Sequence, residues 1–446
     1  MEKKILELLE AKRFSELRDS LKEMEPIDIA EVMEEMPEEK LPLFFRILPK
    51  ELAADTFVEM DSDMQEQLIQ SFSDRELKEV MEQIYLDDTV DIIEEMPANV
   101  VKRMLKHSSP EMRMQINAIL QYPKDSAGSM MTTEFVDLRR DMTVLDAFTR
   151  IRRTGINKET IYTCYVVDGN RTLIGMVSVR TLLLSNYEDV IEDIMERNVI
   201  KATTTEDQEH VAETFSKYDF LALPVVDKEN RLVGIITVDD AMDVMQQEAT
   251  EDIEKMAAIV PTDKPYMKTG VLDTYKKRMP WLLLLMVSAT FTSMIILHFE
   301  EALMTMAVLS AYVPMLMDTG GNAGSQASVS IIRGLSTKEI EYRDVPAIIW
   351  KEFRVAILCG LTLAVANFCK LMLFDRVEGG AIVAIVICLS LFCAVIVAKF
   401  VGCTLPIIAK RIGFDPAVMA SPLITTMVDA ISLMIYFRIA TLVLGI

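Results

Sequence analysis

Histidine is scarce in this sequence, three residues in 446, and the six cysteines form no close Cys-x-x-Cys pair. That shortage argues against a tetrahedral zinc site, which needs four such ligands. Cys359, Cys369, Cys388, Cys393 and Cys403 fall in or beside apolar runs and only Cys164 lies apart from them, a distribution that fits a reducing compartment. No Gly-x-x-x-x-Gly-Lys-Ser/Thr loop marks a self-powered ATPase, and no nucleophile elbow marks a hydrolase. The chain reads as a non-enzyme. Basic charge is also short: 46 Lys and Arg against 68 Asp and Glu leave a net charge of −22. Such a balance disfavours nucleic acid and favours cationic partners. The opening Met1-Glu2-Lys3-Lys4-Ile5-Leu6-Glu7 is too charged for a signal peptide.

The acidity is confined to one part of the chain. Residues 280–446 hold 11 basic and 11 acidic residues, so the whole deficit lies in 1–279. Within 1–128, Asp28-Ile-Ala-Glu-Val-Met-Glu-Glu-Met-Pro37 recurs 60 residues on as Asp88-Thr-Val-Asp-Ile-Ile-Glu-Glu-Met-Pro97, with a looser copy at Glu51–Met60. Apolar residues at helical spacing, each run closed by Met-Pro or Met-Asp, predict an all-α helical solenoid. A second repeat follows at an offset of 59. Tyr165–Val179 aligns without a gap on Pro224–Val238, each copy reading strand, polar turn, strand and then helix. This pattern resembles a tandem pair of CBS domains, α+β in fold, here 129–192 and 193–250. The resemblance implies ATP or another adenine nucleotide, held by a Ser/Thr-x-x-Asp at the strand-to-helix junction near a helix N-terminus. The second copy has Thr237-Val-Asp-Asp240; the first, Ser178-Val-Arg-Thr181, lacks the acid. A purely structural helix cap is the alternative reading.

Residues 251–279 read as a connecting helix, stopped by Pro261 and Pro265 and followed by Lys276-Lys277-Arg278. Five apolar stretches then predict a five-helix transmembrane domain over 280–446: 280–299, 302–332, 355–374, 381–408 and 417–446. With the N-terminus cytoplasmic, the inner flanks carry Lys276, Lys277, Arg278, Arg333, Lys338, Arg343, Lys351, Arg354, Lys399, Lys410 and Arg411. The outer side carries Lys370 and Arg376, with Arg438 near the end of the last helix. This asymmetry predicts a plasma (bacterial-type inner) membrane protein with its acidic domains inside and its C-terminus outside.

Two features of that domain carry chemistry. Asp429 lies 12 residues into the last span, roughly 18 Å along a helix, too deep for its short side chain to escape. An ionised aspartate there costs a few kcal/mol unless it meets water, a partner or an ion. Pinning by Thr425 and Thr426, one turn away, is the structural alternative. The second span contains Pro314-Met-Leu-Met-Asp-Thr-Gly-Gly-Asn-Ala-Gly-Ser-Gln326. Proline and three glycines predict an interrupted helix with freed carbonyls, as at transporter ion sites; a close helix-packing surface is the alternative.

Pro-x-x-x-x-Thr-Gly-Gly-Asn-x-Gly-x-Gln, with Asp415-Pro416 and Ser421-Pro422-Leu423-x-Thr-x-x-x-Asp429, resembles the MgtE-type magnesium channels, as does the domain order. The resemblance covers nearly the whole chain. It implies a homodimer in the lipid bilayer with a pore between subunits, Asp429 of each copy near the axis, and Gly320, Gly321, Asn322, Thr425 and Ser421 lining it. Mg²⁺ suits such a site, since it prefers oxygen ligands and keeps several waters. Two positions depart from the family pattern, Asp318 in place of glycine and Ser325 in place of asparagine. The resemblance also implies closure by cytoplasmic Mg²⁺ at Asp87, Asp91, Asp219, Asp240, Asp243, Glu248, Glu251, Asp252 and Asp415. Facing carboxylates ~4 Å apart repel by up to ~4 kcal/mol at an effective dielectric of about 20, and a divalent ion reverses the sign. An ion-coupled divalent-cation exchanger and a non-transporting, membrane-tethered nucleotide sensor are the competing functions.

Overall fold

The computed structural model describes residues 2–262, 266–300, 304, 306–375, 380–419 and 421–445, with side chains throughout except at 2–4, 157, 419 and 421. Pro265, Arg376 and the start of the expected second span at Ala302 therefore lie outside the described residues. The chain divides into two units, 1–245 and 246–446.

The first unit begins with short helices from α1 (Glu2–Glu10) to α10 (Pro110–Ile119). Helices of five to ten residues are too short to stand alone in water, so packing holds them. Leu21, Met33, Phe44, Phe57, Leu68, Met81, Val90 and Met104 are all buried in one continuous core. Local signals set the boundaries. Pro26 opens α3 (Pro26–Glu34), Asp61 accepts the Met64 amide to open α6 (Ser62–Ser71), and Ser73 with Glu76 forms a capping box on α7 (Asp74–Met81). The Met-Pro stops fall where expected: α3 ends at Glu34 and α8 (Leu86–Glu95) ends just before Met96.

Two three-stranded sheets follow. The first contains β1 (Asp137–Arg139), β2 (Thr163–Val167) and β3 (Leu173–Ser178); the second contains β4 (Ala202–Thr203), β5 (Ala222–Val226) and β6 (Leu232–Thr237). The 59-residue repeat is kept down to the irregularity, since the register slips at Val166/Val167 in one sheet and at Val225/Val226 in the other. Asp168 and Asp227 each accept two turn amides, so the chain reverses in matching Asx turns. The repeats also exchange segments. Thr132, ahead of the first repeat, pairs with Ile235 of the second sheet, while Glu196, ahead of the second, pairs with Met176 of the first. Each exchange needs a glycine: a Cβ at Gly234 would lie 2.6 Å from Met131 Sδ, and one at Gly175 would lie 2.7 Å from Met195 Sδ. From the second sheet, α15 runs unbroken over Val238–Met256, so the connecting segment starts as a continuation of this helix.

The second unit is helical. Among the described residues, four helical stretches are long and apolar enough to cross a membrane: Val271–His298, Tyr342–Asp375, Gly380–Ile412 and Pro422–Leu444. Between the first two lies Val313–Ser336, 24 residues and so about 36 Å long, but diluted with glycine and serine. These five are called the first to fifth membrane helices in chain order. The fourth is the hub, burying Val386, Ile387, Leu391, Val395 and Ala398 among its neighbours. It stops at a left-handed Gly413 (φ +89°), with the Phe414 amide closing back on Ala409.

Two expectations fail here. The second membrane helix is continuous through the whole glycine motif. Proline sits in its first turn, where no backbone bond is lost, and the glycines serve contact rather than rupture. Lys399 is not at a flank. It lies mid-helix, 5% exposed, with Nζ 3.6 Å from Glu352 Oε2 on the third membrane helix (Val345–Lys370).

Candidate functional site

The membrane site is built by close helix contact. Added Cβ atoms at Gly320 and Gly321 would lie 2.8 Å from Ser432 Oγ and 2.8 Å from Thr425 Cγ2 on the fifth membrane helix (Ser421–Leu444). One at Gly324 would meet Ile424, Val428 and the Ala398 carbonyl, and one at Gly402 would lie 2.1 Å from the Gly324 oxygen. Partner numbers fall as glycine numbers rise, so the second and fifth helices run antiparallel. Asp429 occupies this contact zone, one turn from Thr425 and just short of one turn from Ser432. It is half-buried, and its Oδ1 is buried without a hydrogen-bond partner.

Gly320 and Gly321 are buried and still helical, so neither exposes a freed carbonyl to an ion path. The expectation of freed carbonyls at these two glycines is corrected. Asn322 is exposed on the other side of the same helix, and Ser325 Oγ lies 3.5 Å from Thr425 Oγ1. The Ser421 side chain lies outside the described residues. Sequence reasoning flagged Asp318 as a departure that adds negative charge if it lines the pore mouth; in the structure its charge acts on Asp429.

In the first unit, α8 faces the start of α15 with acid on both sides. Asp87 is 7% exposed and its Oδ1 has no partner. Burial first, then Asp88, pushes its carboxyl up to about 7. Asp88 is likewise pushed up to about 7 by burial and then by Asp240, and Asp240 to about 7 by burial and then by Asp87. Asp91 is raised too, by loss of hydration and by Asp240, but it is exposed at the surface and water screens it more than the other three. Asp243 and Glu59 also shift upward, Glu59 by burial and then by Asp243. Glu159, from the loop before β2, is pushed up to about 9 by burial, Asp87 and Asp88, with its Oε2 buried and unpartnered. Asp88, Glu59 and Glu159 belong to this cluster and were missed; they come from separate elements with no shared spacing. Hard carboxylate oxygens suit Mg²⁺. Among the described residues, however, no three His, Cys, Asp or Glu groups converge closely enough to hold one ion.

The other expected sensing residues separate. Asp219 is an exposed left-handed cap (φ +54°) ending α14 (Gln208–Tyr218). Glu248 is half-buried on α15. Glu251 and Asp415 share a lysine: Lys255 Nζ lies 2.6 Å from Glu251 Oε1 and 2.8 Å from Asp415 Oδ2. Asp415 also accepts the Ala417 amide at 2.8 Å. Asp252 stands beside them, raised by burial and by Asp415. Thr237 and Asp240 close on each other, Oγ1 donating to Oδ2 at 2.7 Å, as a cap on α15.

Comparison with known proteins follows the same divisions. Residues 24–125 match the MgtE intracellular N domain, 127–186 and 191–247 match CBS domains, and 313–439 match a divalent cation transporter domain. A magnesium transporter MgtE from Thermus thermophilus is 36% identical over 434 residues, covering 96% of this chain and 95% of that protein. One from Bacillus subtilis is 34% identical over 438 residues, covering 98% and 96%. The crystal structure of the cytosolic domain of the Mg²⁺ channel MgtE in complex with ATP superposes with a TM-score of 0.53 at 34% identity, over 55% of this chain and 100% of that one.

Proposed function

The chain belongs to the MgtE family of magnesium transporters, which are not enzymes, and from that premise we propose that Mg²⁺ passes along the polar side of the second and fifth membrane helices with Asp429 as its protein ligand. The observation that carries this reading is the buried, unpartnered Asp429 Oδ1 in a membrane region. Such an atom costs free energy unless something compensates it. Mg²⁺ keeps much of its water, so one carboxylate per chain with bridging waters is a suitable site. A homodimer supplies two, and the exposed face of Asn322 gives a second copy a polar surface to complete.

Cytoplasmic Mg²⁺ closes the path by drawing α8 toward α15. Asp87, Asp88 and Asp240 are crowded, each raised by a neighbouring carboxylate, and a dication turns their repulsion into attraction. The CBS pair takes an adenine nucleotide, a reading supported by the solved cytosolic domain of a relative in complex with ATP. The membrane is a bacterial-type inner membrane with the acidic domains inside. Removing Lys399 from the flanks leaves ten basic residues against two or three, and the asymmetry stands. The test is Mg²⁺ uptake into liposomes by the intact chain and by Asp429→Ala. Loss of uptake is the expected result, and equal uptake by both proteins refutes the reading.

A further inference from the structure

We propose that Asp318 is a second carboxylate of the same ion path and sets how strongly that path concentrates dications around Asp429. The inference rests on the reading of Asp429 as an ion ligand. Asp318 lies in the second turn of the second membrane helix, two residues before the glycine packed on Val428 and Ser432. Those two residues flank Asp429, so antiparallel packing brings the two aspartates to within about one turn of each other along the helices, and the charge of Asp318 acts on Asp429.

The helix is divided lengthwise. Gly320, Gly324, Ala327 and Ile331 form its buried face, while Asp318, Asn322 and Gln326, spaced four apart, are exposed along another face. An aspartate turned toward lipid is strongly disfavoured, so this polar face meets water or a second copy of the chain. Lys370 and Lys399 of the membrane helices pair with Asp375 and Glu352, not with Asp318. Asp318 acts by charge over a distance, raising the local dication concentration, while Asp429 holds the ion.

The experiment is Mg²⁺ uptake by the full chain in liposomes, measured against external Mg²⁺ at low and high ionic strength. Asp318→Asn is expected to raise the half-saturating Mg²⁺ concentration about tenfold at low salt, more than it lowers the rate at saturating Mg²⁺. High salt should shrink the shift, and Asp318→Glu should restore the wild-type dependence. Asp318→Ser serves as a second neutral variant should the asparagine protein fail to elute as folded material. A half-saturation within twofold of wild type, or a shift indifferent to salt, overturns the proposal while an inactive Asp429→Asn leaves the parent reading intact. Wild-type uptake by Asp429→Asn overturns the parent reading instead.

Discussion

Replacing Asp87 with asparagine should tighten α8 against its acidic neighbours at neutral pH. The carboxyl is almost fully buried, one oxygen has no partner, and burial with Asp88 carries it from 3.8 to about 7. A raised carboxylate binds its proton better in the packed state than in the opened one. Its favourable contribution is therefore complete below about pH 4 and is lost as pH rises through about 7. At 1.36 kcal/mol per pKa unit, the full loss is about 4 kcal/mol. Asp88 and Asp240 share part of the repulsion but carry burial penalties of their own, so this figure is for Asp87 alone. Between about pH 5 and about pH 8 the loss is near 3 kcal/mol, roughly a hundredfold in the opening equilibrium. Amide hydrogen exchange across α8 in the intact, Mg²⁺-free protein reads that equilibrium. After correction for intrinsic exchange, wild-type protection should fall by up to about a hundredfold over that range. Asp87→Asn, the shape of the protonated acid without its titration, should make the profile shallower, with Asp88 and Asp240 still titrating. Equal protection of wild-type α8 at both pH values, or the same slope in the variant, refutes the reasoning.

Lys399→Met strands the Glu352 carboxylate in a buried site and should cost about 3–5 kcal/mol of stability, while adding Glu352→Leu should recover most of it; thermal denaturation of the detergent-solubilised protein reads both. Gly402→Ala drives a Cβ to within 2.1 Å of a backbone oxygen that has no rotamer to change, so a loss of at least about 2 kcal/mol is expected, visible as a lower midpoint or lost folded protein. Lys255→Met leaves Glu251 and Asp415 without their shared cation; protease protection of the connecting segment should then be weaker without Mg²⁺ and respond more strongly when Mg²⁺ is added.

How far the sequence was legible depends on whether the signal was local. The 59-residue repeat carried both strand–turn–strand units, because these are specified within a few residues of each strand; the Asx turns and bulges, not predicted, follow the same repeat. The Met-Pro stops were local too. The glycines of the second membrane helix were misread because glycine frees a backbone in one setting and admits a neighbour in another. The deciding partners, Thr425, Ser432 and Gly402, lie about 80 to 110 residues away. Lys399 looked like a flank because its partner Glu352 sits 47 residues earlier on a different helix. Asp429 was legible, since depth alone makes a carboxylate conspicuous in an apolar run. Glu159 was not: its importance comes from Asp87, and only folding brings the two together.

The two ends of α15 solve the same electrostatic problem in opposite ways. At its start, Asp239 and Asp240 add charge to Asp88 of α8, and the carboxyls there hold protons up to about pH 7. At its end, Lys255 is wedged between Glu251 and Asp415 and already neutralises part of the acid. A dication arriving at the first end relieves repulsion among raised carboxyls, whereas at the second it must compete with a tethered ammonium whose effective concentration never falls. Free Mg²⁺ should therefore act chiefly where α15 begins. Asp240→Asn should shift the Mg²⁺ concentration needed for protease protection more than Asp415→Asn does, and a larger shift from Asp415→Asn would place the sensing end at the lysine instead.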